Sequence, residues 1–336
     1  MKLKQENLMK SFSQKISEQF ASFSVKMPNE AKSKMPVYAD YVELICLISN
    51  DFVSQSDVIE RMQDSGEEFD IPKPIDGIIG SIDTQQHDLA EKFANTIFEY
   101  IEERKTIYKN AYPFETDLEK GIKLKNKECL TEQQKLYLYL LIASSLISFK
   151  KINSEITSEF ELLSELALKS YLPQARVINF ANNQIYKGNA KEKIKQLAND
   201  INLECNRDIE QISEYNSKEE GLDLVAWIPF EDNNPNTIII LGQCACGKDW
   251  FAKQNETFRY ENYLSHYRQP FTHSFFIPYD LKNTKGRFEF SKDLTLNHIF
   301  FERRRIINLS YDKVFDSLHY SKQIIDKCIE YQEDIV

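Results

Sequence analysis

The stretch that decides the fold reads GLDLVAW over residues 221–227 and, after a polar break, IIILGQCACGKDW over residues 238–250. Ile238, Ile239, Ile240 and Leu241 are consecutive, the mark of a strand buried on both faces, so Thr237 to Gln243 is predicted as a central strand. Leu222 to Ile228 has the same character and is predicted as its neighbour. Between them Pro229–Asn236, with Asp232, Pro235 and asparagines, has the composition of a hairpin-type turn. Antiparallel pairing across that turn would bring Asp223, at the start of one strand, to the Gln243 end of the other.

Working outward, the pattern is one of helices and further short strands. Phe160, Leu163, Leu166 and Leu168 space an amphipathic helix that runs to Pro173, and a second helix covers roughly Lys191 to Leu203. Downstream, Ser274 to Pro278 and His298 to Phe301 read as strands around a polar turn at Asn283–Gly286. Helices around a short central sheet imply an α/β layer domain over 151–336. Residues 1–150 are different and read as an α-helical domain. Residues 1–35 form a polar arm, Val42 to Phe52 a buried helix, and Ser54–Asp57 caps another helix through Met62. Residues 65–83, with Gly and Pro, form a connection. Leu89 to Tyr108 and Thr131 to Phe149 are long helical patterns without Gly or Pro inside.

Composition narrows the function classes. The chain has 336 residues, 42 % hydrophobic and 28 % charged, the balance of a water-soluble globular protein. The first twenty residues lack the apolar core of a secretory signal, and Leu136 to Phe149 is too short and serine-rich to cross a bilayer. Six cysteines without framework spacing suggest reduced thiols in a cytoplasm. Five histidines without ligand spacing argue against structural zinc. The net charge of −10 opposes long-range attraction to nucleic acid, so contact with it calls for a local basic patch or a partner. Residues 281–305 offer such a patch, ending in Arg303-Arg304-Arg305.

Two chemistries compete for the central segment. Gly242-Gln243-Cys244-Ala245-Cys246-Gly247-Lys248 fits the G-x-x-x-x-G-K spacing of a phosphate-cradling loop. The next residue, Asp249, stands where a Ser or Thr would hold magnesium, and its charge would repel phosphate. The other reading is a carboxylate site. Phosphodiester hydrolysis needs a divalent ion held by oxygens and a cation near the scissile phosphate. Asp223, Gln243 and the Cys244 backbone carbonyl supply oxygens, and Lys248 supplies the cation.

The pattern G-x-D, turn, apolar strand ending in Gln resembles the PD-(D/E)xK superfamily of restriction-endonuclease-like nucleases, in the branch with Gln for the second acid. The Phe160-Glu161 helix resembles that superfamily's N-terminal helix, which often carries a metal-binding glutamate. The resemblance covers roughly 155–305. It departs from the family where the lysine usually stands, two residues after the acid or Gln. That position is Ala245, and the first lysine is Lys248. The resemblance implies a restriction-endonuclease-like core and a Mg²⁺- or Mn²⁺-dependent nuclease, DNA favoured. Asp223, Gln243, Lys248 and Glu161 would be its catalytic residues. Arg303, Arg304, Arg305, Lys253 and Trp250 would touch nucleic acid. By analogy it implies a bacterial defence or restriction effector, gated by a protein partner or by homo-oligomerisation. A nucleotide-binding protein using GQCACGK and an inactive nuclease-fold interaction subunit are the alternatives.

Overall fold

The computed structural model describes residues 11–25, 27–28, 35–49, 52–64, 82–117, 121–182, 185–216, 220–232, 234–265, 269–281, 298–310 and 314–331. All of the expected connection at 65–83 except Ile82 and Asp83, which open a helix, lies outside them, as do the turn at Asn283–Gly286 and most of the basic stretch 281–305. The chain divides into two compact units. One comprises residues 1–156 together with 320–336, and the other residues 157–319.

In the first unit, α1 (Phe12–Phe20) opens on a reciprocal Ser11–Gln14 cap, each side chain bonding the other residue's backbone N–H. α2 (Met35–Ser49) is apolar nearly all round, and thirteen of its residues from Pro36 to Ser49 are buried, as befits a helix at the centre of a core. α3 (Gln55–Asp64) starts where Ser54 and Asp57 exchange hydrogen bonds at 2.7–3.2 Å. α4 (Ile82–Tyr108) follows. A two-stranded antiparallel hairpin of β1 (Phe114–Asp117) and β2 (Gly121–Leu124) interrupts the expected all-helical order. Gly121 sits at φ +135°, and a Cβ there would strike the Val53 carbonyl that bonds Ile122, so this turn requires glycine. α5 (Glu132–Ser144) is capped by Thr131 and Gln134 in the same reciprocal way as α1.

The second unit is a layered α/β domain. α6 (Asn153–Tyr171) begins four residues before the division and in the second unit buries Phe160, Leu163, Ala167 and Leu168, a stripe at helical spacing. β3 (Arg176–Asn179), α7 (Ala190–Asp200), β4 (Leu224–Trp227) and β5 (Ile239–Cys244) come next. Two single turns, α8 (Trp250–Lys253) and α9 (Tyr260–Tyr263), precede β6 (Thr272–Phe276), β7 (His298–Phe301) and α10 (Arg303–Leu309). α11 (Ser321–Glu330) belongs to the first unit again.

The five strands lie in the order β3-β4-β5-β6-β7. β4 runs antiparallel to both β3 and β5, whereas β5, β6 and β7 are parallel. Parallel strands need a crossover, and the chain between β5 and β6 provides one through α8 and α9. Period-two alternation splits the sheet into two faces. Val225, Trp227, Ile239 and Leu241 pack with Ile194, Leu197 and Ala198 of α7 and with Tyr260. On the other face the Tyr171 ring of α6 meets Phe301 edge-on at 5.3 Å. The result is helix, mixed sheet, helix. Among the described residues no helix is long and apolar enough to cross a membrane.

Candidate functional site

The site forms where β4 and β5 open at one end. Leu224 pairs with Gly242, and the Asp223 N–H donates to the Gly242 carbonyl at 2.9 Å, so the register sets Asp223 across from Gln243. Both strands are interior to the sheet, so the pair lies at the ends of central strands rather than on an outer one. Gly242 keeps this approach tight, because a Cβ there would stand 3.0 Å from Ser274 Oγ and 3.1 Å from Leu224 Cβ.

Asp223 is half-buried, and its carboxylate accepts the Cys244 N–H at 2.7 Å, a charge-assisted bond that ties the end of β5 to the start of β4. Gln243 is buried, and its Nε2 reaches the Cys244 carbonyl at 3.4 Å. Its Oε1 is buried with no hydrogen-bond partner among the described residues. An orphaned buried acceptor normally costs about 1–3 kcal/mol, so such an atom asks for a ligand or a use.

Glu161 comes to the same place from α6. It accepts a short hydrogen bond from Asn182, two residues past Phe180, whose N–H donates to the Asp223 carbonyl at 2.7 Å. Burial pushes the Cys244 thiol well up, and the charges of Asp223 and then Glu161 push it further. Burial also raises Cys246, followed by Glu161 and Asp223, while Lys253 opposes the rise. Both thiols are therefore neutral and poor nucleophiles. The carboxylates of Asp223, just before β4, and of Glu161 on α6 thus act on both thiols, and Lys253 on Cys246 alone.

The lysines and arginines fall apart from one another. Lys248 is exposed in a turn closed by the Trp250 N–H on the Gly247 carbonyl at 3.1 Å. Lys253 is exposed at the end of α8. Trp250, expected to touch nucleic acid, is 5 % exposed and packed among Ala245, Phe275, Ile277, Leu281 and Phe300 as a core residue. Arg303 requires a correction: it is fully buried, with Nε donating to the Pro278 carbonyl at 2.9 Å, and cannot reach a phosphate from there. Arg305 donates to the Phe300 carbonyl at 2.6 Å. Glu302 explains why the arginines start a helix, since its side chain accepts the Arg304 and Arg305 N–H groups as an N-cap. Arg304 stays partly exposed.

Asn182 and Tyr279, whose hydroxyl donates to the Cys246 carbonyl at 2.7 Å, were not foreseen at the site and carry no signal in the sequence. A phosphate-cradling loop would lead into a helix able to point several N–H groups at its ligand, whereas Lys248 is followed by the single turn Trp250–Lys253. Comparison of the chain with family models, curated proteins and solved structures returned no match.

Proposed function

We propose that the second unit is a divalent-metal-dependent nuclease with a restriction-endonuclease-like core, acting on DNA in preference to RNA. One observation carries this reading: the antiparallel β4–β5 pair sets Asp223 across from Gln243, whose Oε1 is buried without a partner, while Glu161 shares the electrostatic surroundings of Asp223. Among the described residues no three His, Cys, Asp or Glu side chains are grouped to hold a metal ion. The donors gathered here are instead two carboxylates, one amide oxygen and the Cys244 carbonyl. All are hard oxygen donors of the type Mg²⁺ takes, and Mg²⁺ commonly rests on one or two protein carboxylates and completes its shell with water and substrate phosphate. These residues therefore fit Mg²⁺ or Mn²⁺.

When bound, such an ion polarises the phosphoryl group and makes its water more acidic. The chain's own residues orient and neutralise. Asp223 holds its charge at the strand end with one carboxylate oxygen fixed by the Cys244 N–H. Gln243 offers an acceptor that needs no deprotonation. Lys248, on its exposed turn, supplies positive charge to the scissile phosphate. A protein partner or a second copy of the chain gates the site, as suits a defence or restriction effector.

The test is cleavage of plasmid and linear DNA with Mg²⁺ or Mn²⁺. Asp223→Asn keeps an acceptor for the Cys244 N–H while removing the charge, so the fold persists and cleavage falls. Losing charge stabilisation of this kind costs about a hundred- to thousandfold in rate. Gln243→Glu is tolerated, and Lys248→Ala slows cleavage without weakening metal binding. Asp223→Asn cutting as well as the parent would overturn the reading. Absence of cleavage by the parent and every variant, with DNA still bound, would favour an inactive interaction subunit.

A further inference from the structure

Beyond β5 the chain builds an aromatic stack that the hydrolytic reading does not use. The Phe251 ring lies parallel to Trp250, with centroids 3.7 Å apart and an interplanar angle of 22°. Tyr279 stacks on Trp250 at 6.1 Å and 29°. The stack is anchored twice: Trp250 is held in the core cluster, and the Tyr279 hydroxyl bonds the Cys246 carbonyl. Phe251 is 37 % exposed although its neighbour in sequence is buried, so the rigid base of the stack presents an apolar ring toward solvent. Exposed Lys248 and Lys253 flank it in the chain. The Tyr279 hydroxyl bonds the chain two residues past Cys244, which keeps the stack near the end of β5 that carries Gln243.

A preorganised aromatic surface with two exposed lysines within three residues of it, and one exposed acid, Asp249, between them, matches an unpaired nucleotide, which offers a π-face and a phosphate together. A base inside a duplex has both faces covered and cannot use it. We propose that Phe251, backed by Trp250, is a stacking platform for one unpaired base of a single-stranded nucleic acid, with Lys248 and Lys253 on the neighbouring phosphates. The proposal rests on the nuclease reading for its location and gives that site a preference for single strands, frayed ends or flaps over intact duplex.

The experiment uses the full chain carrying Asp223→Asn, so that substrate persists, and measures anisotropy of a fluorescent single-stranded oligonucleotide and of a duplex of equal length. The single strand binds more tightly. Adding Phe251→Ala weakens single-strand binding by about fivefold or more, the scale of losing one base–aromatic stack, and leaves duplex binding unchanged. Phe251→Trp preserves it, and Phe251→Leu does not, although Leu retains apolar bulk and reports on folding. Lys253→Ala reduces the salt dependence. Equal binding by parent and Phe251→Ala, or an acidic polypeptide competing equally in both, would overturn the platform. Cleavage assays of the otherwise unaltered chain separate the two claims. Asp223-dependent cleavage with Phe251-independent binding sinks only the platform, and Phe251-dependent binding without cleavage sinks only the hydrolysis.

Discussion

Arg104 shows what one residue can hold together in the helical unit. Its side chain is 1 % exposed, with Nη1 2.8 Å from both Asp40 and Glu43 and the guanidinium 5.1 Å over the Tyr100 ring. Tyr112 and Tyr137 each donate to Glu43 at 2.8 Å, and Ser144 donates to Asp40 at 2.7 Å. Every oxygen of Glu43 is thus engaged, as a charge taken out of water requires. Arg104→Met should leave two carboxylates buried without their cation and lower stability by about 3–5 kcal/mol, read as a shift in the urea midpoint. A shift within error would mean that water reaches the cluster. The same residue type explains a failure of sequence reading. Arg303 and Arg304 are adjacent and equally charged, and only the three-dimensional position of the Pro278 carbonyl makes the first a buried donor. The position of Asp223 at the opening of β4 was legible from the Leu-Val-Ala-Trp that follows it, whereas its bond to Cys244 N–H depends on register and was not.

At the scale of elements, β6 and β7 place His273 and His298 side by side, with ring centroids 5.7 Å apart. His273 is held by Thr257 at 2.9 Å on Nδ1 and by Glu261 at 3.0 Å on Nε2, and Phe258 packs on its ring at 4.1 Å. Burial, and then the neighbouring His273, push His298 from its ordinary 6.5 down to about 4. The unfolded chain takes up a proton as pH falls through the ordinary value, while the folded chain does so only near the depressed one. Stability is therefore full above the ordinary value and declines as pH falls toward about 4. His298 is only partly buried, so the loss is about 1–2 kcal/mol after solvent screening. Melting temperatures between pH 7 and pH 4.5 should fall more steeply for the parent than for His298→Gln, and equal slopes would assign the effect elsewhere. Element by element, legibility followed burial. β5 and β7 were readable because runs such as Ile-Ile-Ile-Leu and His-Ile-Phe-Phe have no polar register to confuse them. β3 was not, since Arg176–Asn179 is a four-residue edge strand with only partial burial. The β1–β2 hairpin was missed because its alternation, Phe-Glu-Thr-Asp against Gly-Ile-Lys-Leu, spans too few residues to outweigh the helices on either side.

For the whole molecule, the division at 156/157 with a return after 319 sets which segments depend on one another. In α11 Ile324, Ile325, Cys328 and Ile329 are buried, and the Tyr331 hydroxyl donates to the Phe23 carbonyl at 2.9 Å. Ending the chain after His319 should therefore loosen the helical unit while leaving the sheet intact. Amide hydrogen exchange should show lost protection in α2 and α5 and unchanged protection in β4, β5 and β6. Equal loss in both would mean that the units unfold as one. This dependence was hidden in the sequence, because an amphipathic helix declares its apolar face but not the partner that covers it. The same threading has a consequence during synthesis. Domains ordinarily fold in the order in which they leave the ribosome. Here the unit that starts first cannot close its core until α11 emerges, after the whole of the sheet-bearing unit has been made. The sheet-bearing unit is therefore complete before the helical unit that encloses it in sequence, and the exposed faces of α2 and α5 are where a chaperone would have to wait.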